Sequence, residues 1–274
     1  MTEADSLLER LARVADLLWR PLWGGLDLAG RHLILFGQVL FWAVRRPFRG
    51  RVYLEAMQFI GVDSLPIIAL VSLFVGMVFS LQSVHAFRQF GAEAYISSTV
   101  AIALTRELAP VFSSIVIAAR AGAGMATELG SMRITEQIDA LATLAVNPVH
   151  YLIVPRVLGA IVMVPLLTMV FMLIGMVGAY FVAVTLHGID HGIFLENVRW
   201  FLDRNDICQG LAKATVFGGA LSLIACFQGF YASGGAKGVG VATTRAVVGS
   251  FVTILVLDYF LTDIWLSVFT KPRM

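Results

Sequence analysis

Five stretches of the chain stay apolar long enough to cross a bilayer, at about 63–84, 97–121, 152–186, 209–231 and 246–269. The third would be roughly 50 Å long if wholly helical. Its middle, VMVPLLTMVFML, offers no polar turn at which a second crossing could begin, so one helix bent near Pro155 or Pro165 is expected. Ahead of these runs, Leu7, Leu8, Leu11, Val14 and Leu18 recur at helical spacing opposite Glu9, Arg10, Arg13 and Asp16. That pattern lies on a surface and does not span. Leu33 to Val44 is apolar but too short to cross, and reads as interfacial or re-entrant. The pattern predicts an all-α integral membrane protein with an amphipathic, interfacial helical region over residues 1–60 and a five-span region over 61–274.

Between the second and third runs, over Glu128 to Asn147, a short amphipathic helix is predicted. Ile134, Ile138 and Leu141 share one face, Glu136, Gln137, Asp139 and Thr143 take the others, and Asn147-Pro148 is expected to end it. Such a helix either lies on the bilayer or seats in the groove of a partner.

Composition agrees with the pattern, since 58% of residues are hydrophobic and 14% charged, against roughly 25% charged in soluble domains. A net charge of +2 is too small to argue for nucleic acid, but the placement of the charges is informative. Arg10, Arg13, Arg20, Arg31, Arg45, Arg46, Arg49, Arg51, Arg120, Arg133, Arg156, Lys237 and Arg245 fall on one side of a five-span topology, whereas Arg88, Arg199, Arg204, Lys271 and Arg273 fall on the other. The first side is therefore expected to be cytoplasmic, with the N-terminus inside and the C-terminus outside. The polar segment His187 to Asp206, with Asp190, Glu196, Asp203 and Asp206, becomes an extracytoplasmic connection. No cleavable signal pattern opens the sequence, so the N-terminus is expected to be retained. Cys208 and Cys226 lie too far apart along one helix to bridge, and no metal-ligand motif is present.

Four ionisable residues fall in or at the ends of spans: Arg106, Glu107, Lys213 and Asp258. An unpaired charge at bilayer depth costs about 3 kcal/mol even on lenient scales, so each needs a cavity, a partner or the interface. Adjacent residues point about 100° apart on a helix, so Arg106 and Glu107 need partners elsewhere, and Lys213 can serve Glu107 or Asp258 by charge. Asp263, nearer the span end, reads as solvated. Small residues recur every fourth position at Ala118, Gly122, Ala126 and Gly130, and at Gly210, Ala214, Gly218, Ser222 and Cys226. They allow close helix approach, either within one subunit or across a homodimer. The glycine-rich SGGAKGVGVATTR, Ser233 to Arg245, lacks the GxxxxGK[ST] spacing of a P-loop and reads as a flexible turn. Taken alone, these residues also allow an ion- or proton-coupled carrier titrating Glu107 and Asp258, or a membrane enzyme acting on lipid.

In RELAP, AARAGAGMATELGSMRITEQIDALATLAVNP, ATTRAVV and LDYFLTD, from about Gly61 to the end of span five, the chain resembles the MlaE-type permeases. These are membrane subunits of ABC transporters that move phospholipids together with MCE-domain proteins. The resemblance implies a five-span permease domain over 61–274 that pairs as a homodimer in the bacterial inner membrane and contributes to outer-membrane lipid asymmetry. Its partners would be phospholipid, a cytoplasmic ABC ATPase dimer, a small STAS-domain protein and a periplasmic MCE-protein ring. ATP and magnesium would be used by the ATPase, with no cofactor and no catalysis in this chain. Glu128 to Asn147 would be the cytoplasmic coupling helix, with Arg133, Ile134, Glu136, Gln137, Ile138 and Leu141 at the ATPase contact. Arg106, Glu107, Lys213 and Asp258 match charged positions of the lipid path, and Phe79, Phe87 and Phe90 are expected to meet lipid tails.

Overall fold

The computed structural model describes Asp27, residues 30–45 and residues 49–269. The surface helix expected over residues 1–20, together with Arg46, Lys271 and Arg273, lies outside them. Among the described residues the chain is helical, without strands, and five helical units are long and apolar enough to cross a membrane. It is a multi-pass membrane protein.

The first described helix, α1, covers 30–43. It buries Leu35 and Val39 while Leu33, Phe36, Leu40 and Phe41 stay exposed. It lies along the bundle, with His32 stacked on Phe227 at 3.8 Å between ring centroids and Trp42 beside His150 at 5.4 Å. α2 (Gly50–Ile60) passes through a short 3-10 turn, Val62–Ser64, into α3 (Leu65–Arg88), and these form the first span. The second span is built from α4 (Ile96–Ala103), α5 (Ala109–Ile117) and α6 (Ala123–Ile134), joined by wide π turns at Leu104–Leu108 and Ala118–Gly122. After α7 (Gln137–Thr143), a π turn at Val149–Ile153 leads into α8 (Val154–Tyr180), the long third span, with Pro165 inside it. α9 (His191–Phe201) connects to α10 (Arg204–Phe230), and α11 (Gly235–Phe269) completes the bundle. All five units begin ahead of the starts that hydropathy alone marks.

Small residues set the approach of the helices. α3 buries Ile68, Ser72, Gly76, Ser80 and Val84, one face at four-residue spacing, against α8. A Cβ at Gly76 would collide with the Gly175 carbonyl, and the Ser80 hydroxyl donates to the Ala179 carbonyl at 2.9 Å. All nine residues of the two predicted small-residue series are buried inside this single chain. Gly122 faces Ala225, and Gly130 faces Ala232 and Val239. Both series are therefore used in packing within the subunit, with α10 between α8 on one side and α6 and α11 on the other.

Two segments differ from expectation. The helix predicted over 128–147 is two helices. α6 ends at Ile134, and Glu136 takes a left-handed φ of 59° before α7 begins. α7 closes at Leu144–Val146, where Val146 N–H reaches the Leu141 carbonyl and Ala145 N–H the Ala142 carbonyl, the two bonds of a Schellman end. Asn147 does not end this helix. Its side chain accepts the N–H groups of Val149 and His150, so Asn147-Pro148 starts the third span. Likewise, SGGAKGVGVATTR is not a flexible turn, since from Gly235 it is the first three turns of α11. Contact with α6, including a Thr127–Thr243 hydroxyl bond of 2.8 Å, overrides the helix cost of its glycines.

Candidate functional site: a charged cluster inside the bundle

α10 presents Asp206, Gln209 and Lys213 on one face, at i, i+3 and i+7, and all three side chains are buried. Lys213 lies about 14 Å along the helix from its start, well within the apolar span. Its ammonium donates to Glu107 Oε2 at 2.6 Å and to Asp258 Oδ1 at 2.8 Å. Its remaining bond goes to the Arg106 backbone carbonyl at 3.2 Å. That third acceptor has a local cause. Pro110 has no N–H to give the carbonyl four residues back, which is that of Arg106, and the lysine fills the vacancy. The same stretch is wound as the π turn Leu104–Leu108, which swings Arg106 and Glu107 onto α10. Gly210 makes the approach possible, because any Cβ there would meet the Thr105 carbonyl.

Arg106 does not join Glu107. Its Nε and Nη2 donate to Asp206 Oδ1 at 2.9 and 2.6 Å. Asp206 is also the third residue of α10, and its other oxygen accepts the Asp203 N–H at 3.0 Å in a capping box. The sequence pattern leaves Asp206 in an extracytoplasmic connection, yet it is 2% exposed and is the partner of Arg106. Its capping spacing after Asp203, and its i+7 relation to Lys213, were the available signals. Gln209, between the two ion pairs, leaves its side-chain amide nitrogen without a partner.

Depth is uneven across the cluster. Lys213 and Asp206 are 2% exposed, whereas Glu107 is 39% and Asp258 21% exposed. The anchors sit deep on α10 and the cluster opens outward through the partners on the second span and α11. Two cations face three carboxylates, so in their ordinary charge states the group carries a net −1. In a low-dielectric setting this holds the three spans together and leaves a polar mouth able to meet a charged headgroup or an ion.

The other predicted residues lie apart from this cluster. Phe79 and Phe87 are half-buried against a second apolar cluster that includes Val84, Ile96 and Phe194, while Phe90 is 82% exposed just past α3. At the α6–α7 corner, Arg133 donates to Asp139 at 2.6 Å. Ile138 is 2% exposed and Leu141 half-buried, both turned into the chain's own core, with Ile134 half-buried as well. The outer face of α7 is instead Glu136, Gln137, Ala140, Thr143 and Leu144, the last 73% exposed. Among the described residues no group of three or more His, Cys, Asp or Glu side chains converges as a metal site would.

Comparison with known proteins places this architecture. A probable ABC transporter permease protein of Rickettsia prowazekii is 40% identical over 252 residues, 88% of this chain and 97% of the relative. The intermembrane phospholipid transport system permease protein MlaE of Haemophilus influenzae is 38% identical over 214 residues, 77% of this chain and 81% of its own length. The chloroplastic protein TRIGALACTOSYLDIACYLGLYCEROL 1 of Arabidopsis thaliana is 37% identical over 248 residues, covering 89% and 70%. Residues 53–264, which carry all five spans, the α6–α7 corner and every member of the charged cluster, match the permease MlaE family, and the chain belongs to that family.

Proposed function

We propose that this permease is the membrane subunit of an ABC transporter that moves phospholipid between the bacterial inner membrane and a periplasmic MCE-protein ring. Two copies enclose an apolar cavity, and the cluster formed by Arg106, Asp206, Lys213, Glu107 and Asp258 orients the lipid headgroup at its wall. ATP hydrolysis, with its magnesium, takes place in a cytoplasmic ATPase dimer. The outer face of α7 docks on that dimer, a small STAS-domain protein accompanies it, and the outcome is outer-membrane lipid asymmetry. One observation carries the reading. A fully buried lysine held between two carboxylates, open on one side, lies in the interior of a family whose relatives include a phospholipid transport permease. The excess carboxylate also supports a second reading, an ion- or proton-coupled carrier titrating Glu107 and Asp258.

A vesicle assay of lipid transfer to a purified MCE-domain acceptor separates the two. Transfer is expected to need ATP and the ATPase, and to fall at least tenfold in Glu107→Gln and Asp258→Asn. Transfer driven by a pH gradient without nucleotide would replace the first reading by the second. Docking is tested at Leu144, because Ile138 and Leu141 also support the fold. Leu144→Asp is expected to abolish co-purification of the ATPase with membrane insertion intact, and unchanged co-purification would remove α7 from the interface.

A further inference from the structure

We infer a second lipid site, distinct from the charged cluster, in which an anionic phospholipid lies at the α7 end of the bundle with its phosphate between Lys237 and Arg245. Where α10 turns into α11, a hollow of about 360 Å³ is lined by residues that include Gln228, Tyr231, Ser233, Lys237 and Arg245. Among the described residues no acidic side chain lines it. Among the described residues neither the Lys237 ammonium nor the Arg245 guanidinium has a hydrogen-bond or ion-pair partner. The nearby acid Glu128 is held by Arg156 at 2.8 Å.

Depth identifies the ligand. α11 is roughly 50 Å long, well beyond the ~30 Å hydrocarbon layer. Its longest charge-free stretch, Ala246 to Leu257, begins just after Arg245, which places Arg245 at the hydrocarbon boundary and Lys237 about 12 Å further out. Below Arg245, on the same exposed face of α11, come Val248, Val252 and Tyr259, each more than half exposed. A cationic mouth above an apolar track fits a headgroup with an acyl chain beneath it. Two cations without a carboxylate attract the phosphate and repel a choline or ethanolamine ammonium, so the pocket favours a lipid with net negative charge, as basic pockets between membrane helices do. The site requires no assumption about transport or about which face of the membrane α7 occupies.

The test uses the full-length protein, purified in mild detergent. Native mass spectrometry after incubation with phosphatidylglycerol or phosphatidylcholine vesicles is expected to show selective retention of phosphatidylglycerol. Lys237→Gln/Arg245→Gln should abolish that preference, each cation contributing about fivefold in apparent affinity. An unchanged melting temperature without lipid would show that the variant is folded. Phosphatidylglycerol, but not inorganic phosphate, should raise the melting temperature of the parent protein. Equal retention by parent and variant would overturn the site, and stabilisation by inorganic phosphate alone would overturn lipid as its ligand.

Discussion

α10 and α11 are neighbours, both apolar enough to span a membrane, and they contribute Lys213 and Asp258 to one ion pair, yet they are built oppositely. α10 buries thirteen of its twenty-seven residues, many of them small: Gly210, Ala214, Gly218, Ser222, Ala225, Cys226 and Gly229. Among its described side chains α11 buries only Ala242, Ala246, Ser250 and Ile254. Large branched and aromatic side chains cover the rest of α11, including Val252, Leu255, Tyr259 and Phe260. Hydropathy is therefore a poor guide to what a membrane helix touches, because lipid and protein interior are equally apolar. Residue size is the better guide, since backbones approach closely only where side chains are small. The inward face of α11 steps by four from Ala242 to Ile254, and the next step on that face is Asp258, which is how an acid in an otherwise lipid-facing helix reaches Lys213.

The sharpest break in this comparison is Lys213→Met. Removing the shared cation strands two carboxylates and the Arg106 carbonyl, and a loss of about 3–5 kcal/mol in stability is expected. Denaturant unfolding in detergent micelles reads it, and Glu107→Gln/Asp258→Asn in the Lys213→Met background should recover most of the loss. A Lys213→Met protein as stable as the parent would mean the cluster is solvated. Next in size is the contrast between two acids. Asp206→Asn, which weakens a buried charge-assisted pair and a helix cap, should cost about 2 kcal/mol, whereas Asp263→Asn on the exposed side of α11 should stay within about 0.5 kcal/mol. Equal effects in thermal melts would erase the difference between the two helices. The smallest effect carries a change of sign. A Cβ at Gly218 would stand 2.7 Å from the Ala160 carbonyl oxygen, so Gly218→Ala should destabilise by about 1 kcal/mol. Nothing lies within 4 Å of a Cβ at Gly240, so Gly240→Ala should stabilise by up to about 1 kcal/mol through helix propensity. Two melting curves decide it.

The parts of the site legible in the sequence were those that burial cost alone selects. Arg106, Glu107, Lys213 and Asp258 stand out because a charge in an apolar run needs a reason wherever its partner lies. Asp206 did not stand out, because it sits in an acid-rich segment and hydropathy places the start of the span after it, whereas the helix begins at Arg204. The α6–α7 corner was hidden for a different reason. Periodicity runs smoothly from Ile134 through Ile138 to Leu141, and the left-handed residue that breaks it is a glutamate, which announces no turn. The same apolar face was read as a surface for a partner, although Ile138 packs into the chain's own core. Glycines misled in the other direction at Gly235 to Gly240, where packing keeps a helix that propensity alone would not favour.

By itself the sequence determined the environment and the parts: a membrane protein, five spans, a few charges too costly to leave unpaired, and series of small residues at helical spacing. These are local properties, fixed by transfer free energy and by the geometry of one helix. Only the tertiary structure decided which charges meet, that Arg106 turns to Asp206 while Lys213 bridges Glu107 and Asp258, and that both predicted small-residue series close contacts within one subunit. Those outcomes depend on how helices rotate and cross relative to one another. A π turn ahead of Pro110 and a missing side chain at Gly210 set that rotation, and their consequences appear a hundred residues away.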